Sequence, residues 1–391
     1  MKKHILFAAA AMLASASIPA WAGETIKVGL ILSFSGQGAG QAQQVDNAIK
    51  LYLKEHEKDL GDTKIEIVRR DDTGPNGDVA KRLAQELITR EKVDFLAGFV
   101  FTPNINSVAP LSTQAKVPTV VMNAATSSTV EKSPYIVRTS FTLAQEAYPF
   151  GQWVTKQGLK RVYTAVTDYA PGQDAEAAFT KGLTENGGTV AGTLRMPLKS
   201  PDFSPFMQRI KDAKPDALFL FVPSGREATA AMRAYADLGL ADAGIKLFAA
   251  GDVLPEDELP NMGDVPPGVI SIFHYSMSGD RPANKAFVSA WQKEYGDLPV
   301  YYSAVGGWDG MDAIVHAVKE QNGKLDPAKT MELLQNWRND NSPRGPVMID
   351  PQTRDVVQNM YIRRLERRDG KLANIEIETL PMVKDPLHTA K

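Results

Sequence analysis

Two apolar runs, Val93 to Val100 and Val117 to Met122, each end in a short polar loop that leads into a helix start. Thr102 precedes Pro103, so its hydroxyl is placed to cap a helix whose first turn suits proline. The second run opens onto Asn123, Ala124, Ala125, Thr126 and Ser127. In a parallel sheet the loops at the carboxyl ends of neighbouring strands lie side by side, where open α/β sheets bind ligands. Hydroxyls and unpaired amides at helix starts favour negative charge, so this pair of loops suits a small anion, most simply a carboxylate. Two ordinary capped turns would give the same pattern.

Other residues that could carry chemistry fall short of it. Gly36, Gly38 and Gly40 miss the last position of the G-x-G-x-x-G fingerprint, and no suitably placed acid closes a following strand. Their predicted use is close backbone approach to a ligand or to the opposing half of the molecule. Asp71 and Asp72 could suggest a metal, but a turn and a helix cap at Asp78 account for them. The histidines stand at 4, 56, 274, 316 and 388, none at H-x-x-x-H spacing, and there is no G-x-S-x-G elbow. His316 reads as a packed or surface residue, while His274 falls near a junction where it could line a cleft. With no cysteine there is no disulfide, no thiolate metal site and no lipid-anchoring cysteine. No enzyme and no cofactor are expected.

The elements that must position these loops alternate. Thr25 to Ser33, Lys64 to Arg70, Val93 to Val100, Val117 to Met122 and Ile136 to Arg138 read as strands, with helices over Gln41 to Glu55, Val79 to Arg90 and from Pro103 between them. This is a parallel sheet with helices on both faces. From Ala144 the pattern restarts, with strands at Arg161 to Val166, Gly188 to Arg195, Ala217 to Val222, Ile245 to Ala249 and Gly268 to His274. Its sheet-end loops, 167 to 174, 223 to 226 and 250 to 254, are short and polar. From Tyr275 the chain returns to the first unit through the helices Asn284 to Tyr295 and Tyr301 to Glu320. Short strands at the end of the chain include a hairpin turned at Asp369-Gly370. The expected fold is α/β: two Rossmann-like lobes, 23–142 plus 275–345 and 143–274 plus 346–391, joined by about three crossovers that form a hinge.

The N-terminus sets the compartment. Met1-Lys2-Lys3, the apolar run Ile5 to Ala14 and the small-x-small site Ala20-Trp21-Ala22 form a signal peptide cut after Ala22. Its loss removes two lysines and no acid, so the formal charge of −2 becomes −4. So mild an acidity gives no reason to expect nucleic acid or anionic lipid as a partner. No later stretch reaches the roughly 18 apolar residues of a membrane helix. A free periplasmic protein is expected.

Six motifs, in this order and spacing, give the chain a resemblance over its mature length. They are S-x-S-G near residue 35, the Asp-Asp loop at 71, G-F-x-x-T at 98–102, N-A-A-T at 123–126, P-D-A-L-F-L-F at 215–221 and G-W-D-G-M-D-A at 307–313. The sequence resembles the type I periplasmic solute-binding proteins of the branched-chain amino acid family, which feed ABC importers. The resemblance implies a ligand carboxylate held by Thr102, Ala124 and Thr126. In the second lobe it implies Tyr169, Ser224 and Asp252, where a serine stands for an aromatic residue and a shorter acid for the glutamate of amino-acid binders. The segments at 274–287 and 342–351 are similar to a branch that includes binders of aromatic carboxylates. Asp252 would then pair with an ammonium or accept a bond from a phenolic hydroxyl. Tyr275 and Trp308 are further candidates, readable equally as hinge packing or core. The implied mechanism is capture without chemistry: the carboxylate docks on the first lobe and closure brings up Tyr169, Ser224 and Asp252. The implied partner is a membrane permease, the alternative role is that of a sensor of the same fold, and the expected state is a monomer.

Overall fold

The alternation of apolar strand and amphipathic helix becomes two sheets in a computed structural model, which describes residues 24–199 and 202–388. The signal peptide and its cleavage after Ala22, like His4, lie outside the described residues. The first half of the chain runs β1 (Thr25–Leu32), α1 (Ala39–Glu55), β2 (Lys64–Asp71), α2 (Gly77–Glu86), β3 (Phe95–Gly98), α3 (Thr102–Ala115), β4 (Thr119–Val121) and β5 (Ile136–Arg138). These strands form one parallel sheet in the order β2-β1-β3-β4-β5. A switch in strand order at β1 and β3 leaves their carboxyl-end loops facing one crevice.

The next stretch runs α4 (Leu143–Lys156), β6 (Arg161–Thr167), α5 (Ala170–Thr184), β7 (Thr189–Met196), α6 (Ser204–Ala213), β8 (Ala217–Phe221), α7 (Arg226–Asp237), β9 (Lys246–Ala250) and β10 (Ile270–Phe273). The last part holds α8 (Pro282–Tyr295), α9 (Tyr302–Glu320), α10 (Pro327–Gln335), β11 (Arg338–Asn339), β12 (Val347–Ile349), β13 (Val356–Arg368) and β14 (Lys371–Val383). The second sheet runs β11-β12-β13-β10-β9-β8-β6-β7, with β14 also paired to β13. Its strands are parallel from β7 to β10 and antiparallel beyond. α8 and α9 return to pack on α1. β11 lies within 275–345 by sequence but hydrogen-bonds to β12 on the second sheet.

Several element boundaries move for local reasons. The cap of α2 is Asn76, whose side chain accepts from the Val79 amide at 3.2 Å, rather than Asp78. The loop expected over 167–174 is shorter, because α5 begins at Ala170 with Pro171 in its first turn. The Asp369-Gly370 turn takes φ of 49° and 79°, the left-handed pair that a tight hairpin requires.

Candidate ligand-binding site

β3 ends at Gly98, whose φ of 105° and lack of Cβ let the chain pass under β1; a Cβ there would stand 2.5 Å from the Ile31 carbonyl oxygen. That turn delivers Phe101 and Thr102 to the crevice. Thr102 is the first residue of α3, not its cap; Phe101 occupies the cap position without a side-chain bond. The Thr102 hydroxyl is therefore free to face the next loop, where its Oγ1 lies 3.0 Å from Thr126 Oγ1. Both threonines are buried.

The loop after β4 divides its amides. Ala124 donates its N–H to the Phe99 carbonyl at 2.9 Å, and its own carbonyl accepts from Arg138 at 2.9 Å. The amides of Ala125 and Thr126 have no partner among the described residues. Free donors for an anion on this side are thus those two amides and one of the two threonine hydroxyl hydrogens, the other being spent between Thr102 and Thr126. The Asn123 side chain is committed, donating to the Val100 carbonyl at 3.2 Å and accepting from Ser303 at 2.9 Å.

Opposite stands a wall built by the second sheet. Tyr169, at the cap of α5, is half-buried and stacks on Phe221 with ring centres 6.1 Å apart. Asp252 follows β9 and is buried, as is Ser224 after β8. Ser224 Oγ donates to the Asp252 carbonyl at 2.7 Å and lies 2.9 Å from the Tyr302 hydroxyl, which is 3.2 Å from Asp252 Oδ1. Tyr302, the first residue of α9, was not singled out in the sequence; it sits among apolar residues of a core helix, with no motif to mark it.

Tyr302 donates its hydroxyl hydrogen to Asp252 Oδ1, and Ser224 donates to the Asp252 carbonyl, with the Tyr302 hydroxyl as its second neighbour. Burial outweighs the Tyr302 bond, which favours the ionised form, and pushes the Asp252 carboxyl up to about 7. Glu146 on α4 is fully buried nearby, accepts the Gly251 amide at 3.2 Å, and is also pushed upward by burial and by Asp252. Arg363 moderates both. The remaining oxygen, Asp252 Oδ2, is buried without a hydrogen-bond partner.

Between the two walls lies a chamber of about 330 Å³, of which only about 20 Å³ admits the centre of a water-sized sphere. Thr102, Asn123, Ala125 and Asp252 line it, with the rings of Phe101, Phe141, Tyr169 and Phe221. It is a narrow, aromatic-lined slot with polar residues from both halves of the molecule. A wider opening of about 1690 Å³ by the first of these measures lies beside it, bounded by residues 36–41, Ser224, Glu227, Asp257 and Tyr301. There Gly38, at φ 91°, lets the backbone approach Phe101; a Cβ would stand 2.8 Å from that ring.

Not every sequence candidate reaches the slot. Tyr275 is fully buried away from it, its carbonyl accepting from Arg363 at 2.8 Å. Trp308 packs edge-on against Tyr52 and Phe287 at 5.0 Å each, as core. His274 lies one layer behind the slot, stacked on Phe141 at 5.0 Å and held neutral by burial and the nearby arginines. Asp72 accepts from Ser33 and Asn104 at 2.6 Å each, tying the loops after β1 and β2 to α3. Asp71 accepts from Ser35 at 2.6 Å, so the pair serves the loop structure.

Residues 25–371 match the family described as periplasmic binding protein. The chain belongs to that family. It is 44% identical over 388 residues to Leu/Ile/Val-binding protein homolog 6 of Brucella melitensis, covering 98% of each. A solute binding protein of an ABC transporter from Rhodopseudomonas palustris BisB5, solved with 3,4-dihydroxybenzoic acid, is 48% identical with a TM-score of 0.89 over 93% of this chain and 99% of that one. Another from R. palustris, solved with 4-hydroxybenzoate, is 46% identical with a TM-score of 0.90 over the same shares, 93% and 99%. A leucine binding protein from Thermotoga maritima, 22% identical with a TM-score of 0.80 over 91% of this chain and 99% of that one, shares the fold. The protein is a periplasmic solute-binding protein of the ABC-transporter kind. These relatives support the transport role and lend nothing to the sensor alternative.

Proposed function

We propose that the protein captures an aromatic carboxylate bearing a ring hydroxyl, of the hydroxybenzoate class, and delivers it to the permease of an ABC importer. The observation that carries this reading is Asp252 Oδ2, a buried acceptor without a partner in a slot walled by aromatic rings. A carboxyl pushed toward its neutral form suits a phenolic hydroxyl better than an ammonium, whose charge calls for an ionised partner. The carboxylate is met by the Thr102–Thr126 hydroxyl pair and the amides of Ala125 and Thr126. The R. palustris relatives solved with 3,4-dihydroxybenzoic acid and 4-hydroxybenzoate support the same class.

In this reading the open form exposes the first-lobe donors, the carboxylate docks there, and closure brings Tyr169, Ser224 and Asp252 over the ring. Ligand favours the closed state through contacts made only in it. The lobes are 23–142 plus 275–345 and 143–274 plus 346–391, a division supported by the return of α8 and α9 to α1. The work is binding without catalysis, by a monomer exported through cleavage after Ala22.

Calorimetry on ligand-stripped protein with 4-hydroxybenzoate, benzoate and leucine tests the proposal. The expected order is 4-hydroxybenzoate tightest, benzoate weaker by about 1–3 kcal/mol for the lost hydroxyl bond, and leucine undetected. Leucine binding as tightly as 4-hydroxybenzoate would overturn it.

A further inference from the structure

The C-terminal segment carries a cluster outside the ligand slot. One ligand atom from each of Asp355, Asp385 and His388 lies within 4.8 Å of the others. Asp355 and Asp385 are 2% and 6% exposed. Asp355 Oδ1 is 2.9 Å from Arg138 Nε, whereas Asp355 Oδ2 and Asp385 Oδ2 are buried with no hydrogen-bond partner. These oxygens face a cavity of about 100 Å³ whose lining includes Asp355, Asp385 and His388. Asp350 also lines it but is paired with Lys384 at 2.8 Å.

We propose that Asp355, Asp385 and His388 form a binding site for a divalent first-row transition metal, zinc foremost. The donor set, one imidazole and two carboxylates with room for further oxygen ligands, suits zinc better than magnesium or calcium, which call for six or more oxygens. The local charge calls for a cation: two buried carboxylates face one guanidinium, and Asp174 adds a negative field felt by both it and Asp385. Glu131, at the exposed rim 3.9 Å from His388 Nε2, stands ready as an additional ligand. Without metal, Nε2 lies 2.5 Å from the Ser127 carbonyl and 3.8 Å from Asp355 Oδ2. Coordination through Nε2 requires that nitrogen to give up its hydrogen, by loss to solvent or transfer to Nδ1.

The site would fasten the start of β13 to the segment after β14 and, through Glu131, to the helical turn Ser127–Lys132, in exchange for the His388–Ser127 hydrogen bond. Ser127 follows Thr126 of the proposed clamp, and its amide donates to Asp174 on α5 at 2.9 Å. A metal here would stiffen the clamp loop from behind without entering the slot.

The test uses untagged, EDTA-treated protein titrated with cobalt(II), read by visible absorption, then with zinc in competition. The expected result is one tight site, with D385N and H388Q each weakening zinc by at least about tenfold. The melting temperature of D385N in EDTA should match the parent, since asparagine keeps the side-chain acceptor for the Leu387 amide. Absence of saturable binding in the parent, or binding unchanged in both variants, would overturn the proposal.

Discussion

Asp252 is a buried acid beside two hydroxyls, and its upward shift has a signature in solution. Its carboxyl is pushed up to about 7 in the folded protein, against about 3.9 for an unperturbed aspartate. The folded state therefore holds a proton that the unfolded chain releases, so the stability this proton provides is present below about pH 4 and is lost as pH rises through about 7. Glu146 shifts the same way, so the slope is shared. Asp252→Asn keeps the neutral hydrogen-bonding shape and should flatten the decline in denaturation midpoint between about pH 5 and about pH 8. An unchanged slope would show that Asp252 is ionised. Thr126 stands next to Thr102, which lines the slot, and Thr126→Ala leaves Thr102 without its partner at 3.0 Å. Calorimetry should show an affinity loss of about 1–3 kcal/mol for the carboxylate ligand, whereas unchanged affinity would remove Thr126 from the clamp.

Helices α4 and α5 cross closely enough that two glycines share the contact. A Cβ on Gly151 would stand 2.4 Å from the Phe179 carbonyl oxygen, and one on Gly182 would stand 2.1 Å from that of Tyr148. Both neighbours are backbone, so no rotamer change relieves the clash. Gly182→Ala should cost about 1–3 kcal/mol of stability despite alanine's better helix propensity, visible as a lower melting temperature. A neutral or raised melting temperature would show that the helices can slide apart. Because Tyr169 caps α5 and α4 carries Glu146, the same substitution should also weaken ligand binding.

At the scale of the whole molecule, Arg344 joins the connections between the two sheets. It is fully buried, lies 2.7 Å from Asp309, and donates to the carbonyls of Ser140, Thr139 and Val305 at 2.8, 2.7 and 3.0 Å and to Gln358 at 2.6 Å. The partners belong to the crossover after β5, to α9 and to β13. Arg344→Met would strand the Asp309 carboxylate in the interior at a cost of about 3–5 kcal/mol, measurable by chemical denaturation. Adding Asp309→Asn should recover part of that loss; a single substitution without effect would show that Asp309 takes up a proton once the guanidinium is gone, the direction in which burial already pushes it.

The order of strands and helices, the parallel first sheet, the sheet-end loops and the Asp369-Gly370 hairpin were all legible in the sequence. Those features follow from apolar periodicity and turn chemistry, which act over a few residues. Thr102 and Thr126 could be singled out because each stands just beyond a strand's carboxyl end, whereas Tyr169, Ser224 and Asp252 were implied by the family resemblance. The tertiary structure alone decided what these residues do. It committed the Ala124 amide to Phe99, put Tyr275 behind the slot rather than in it, and brought Tyr302 from 50 residues away to Asp252. It also made Arg344 a junction and gathered Asp355, Asp385 and His388. Which amide meets which carbonyl, and which acid loses its water, depends on packing between segments far apart in the chain, and local pattern holds no record of that.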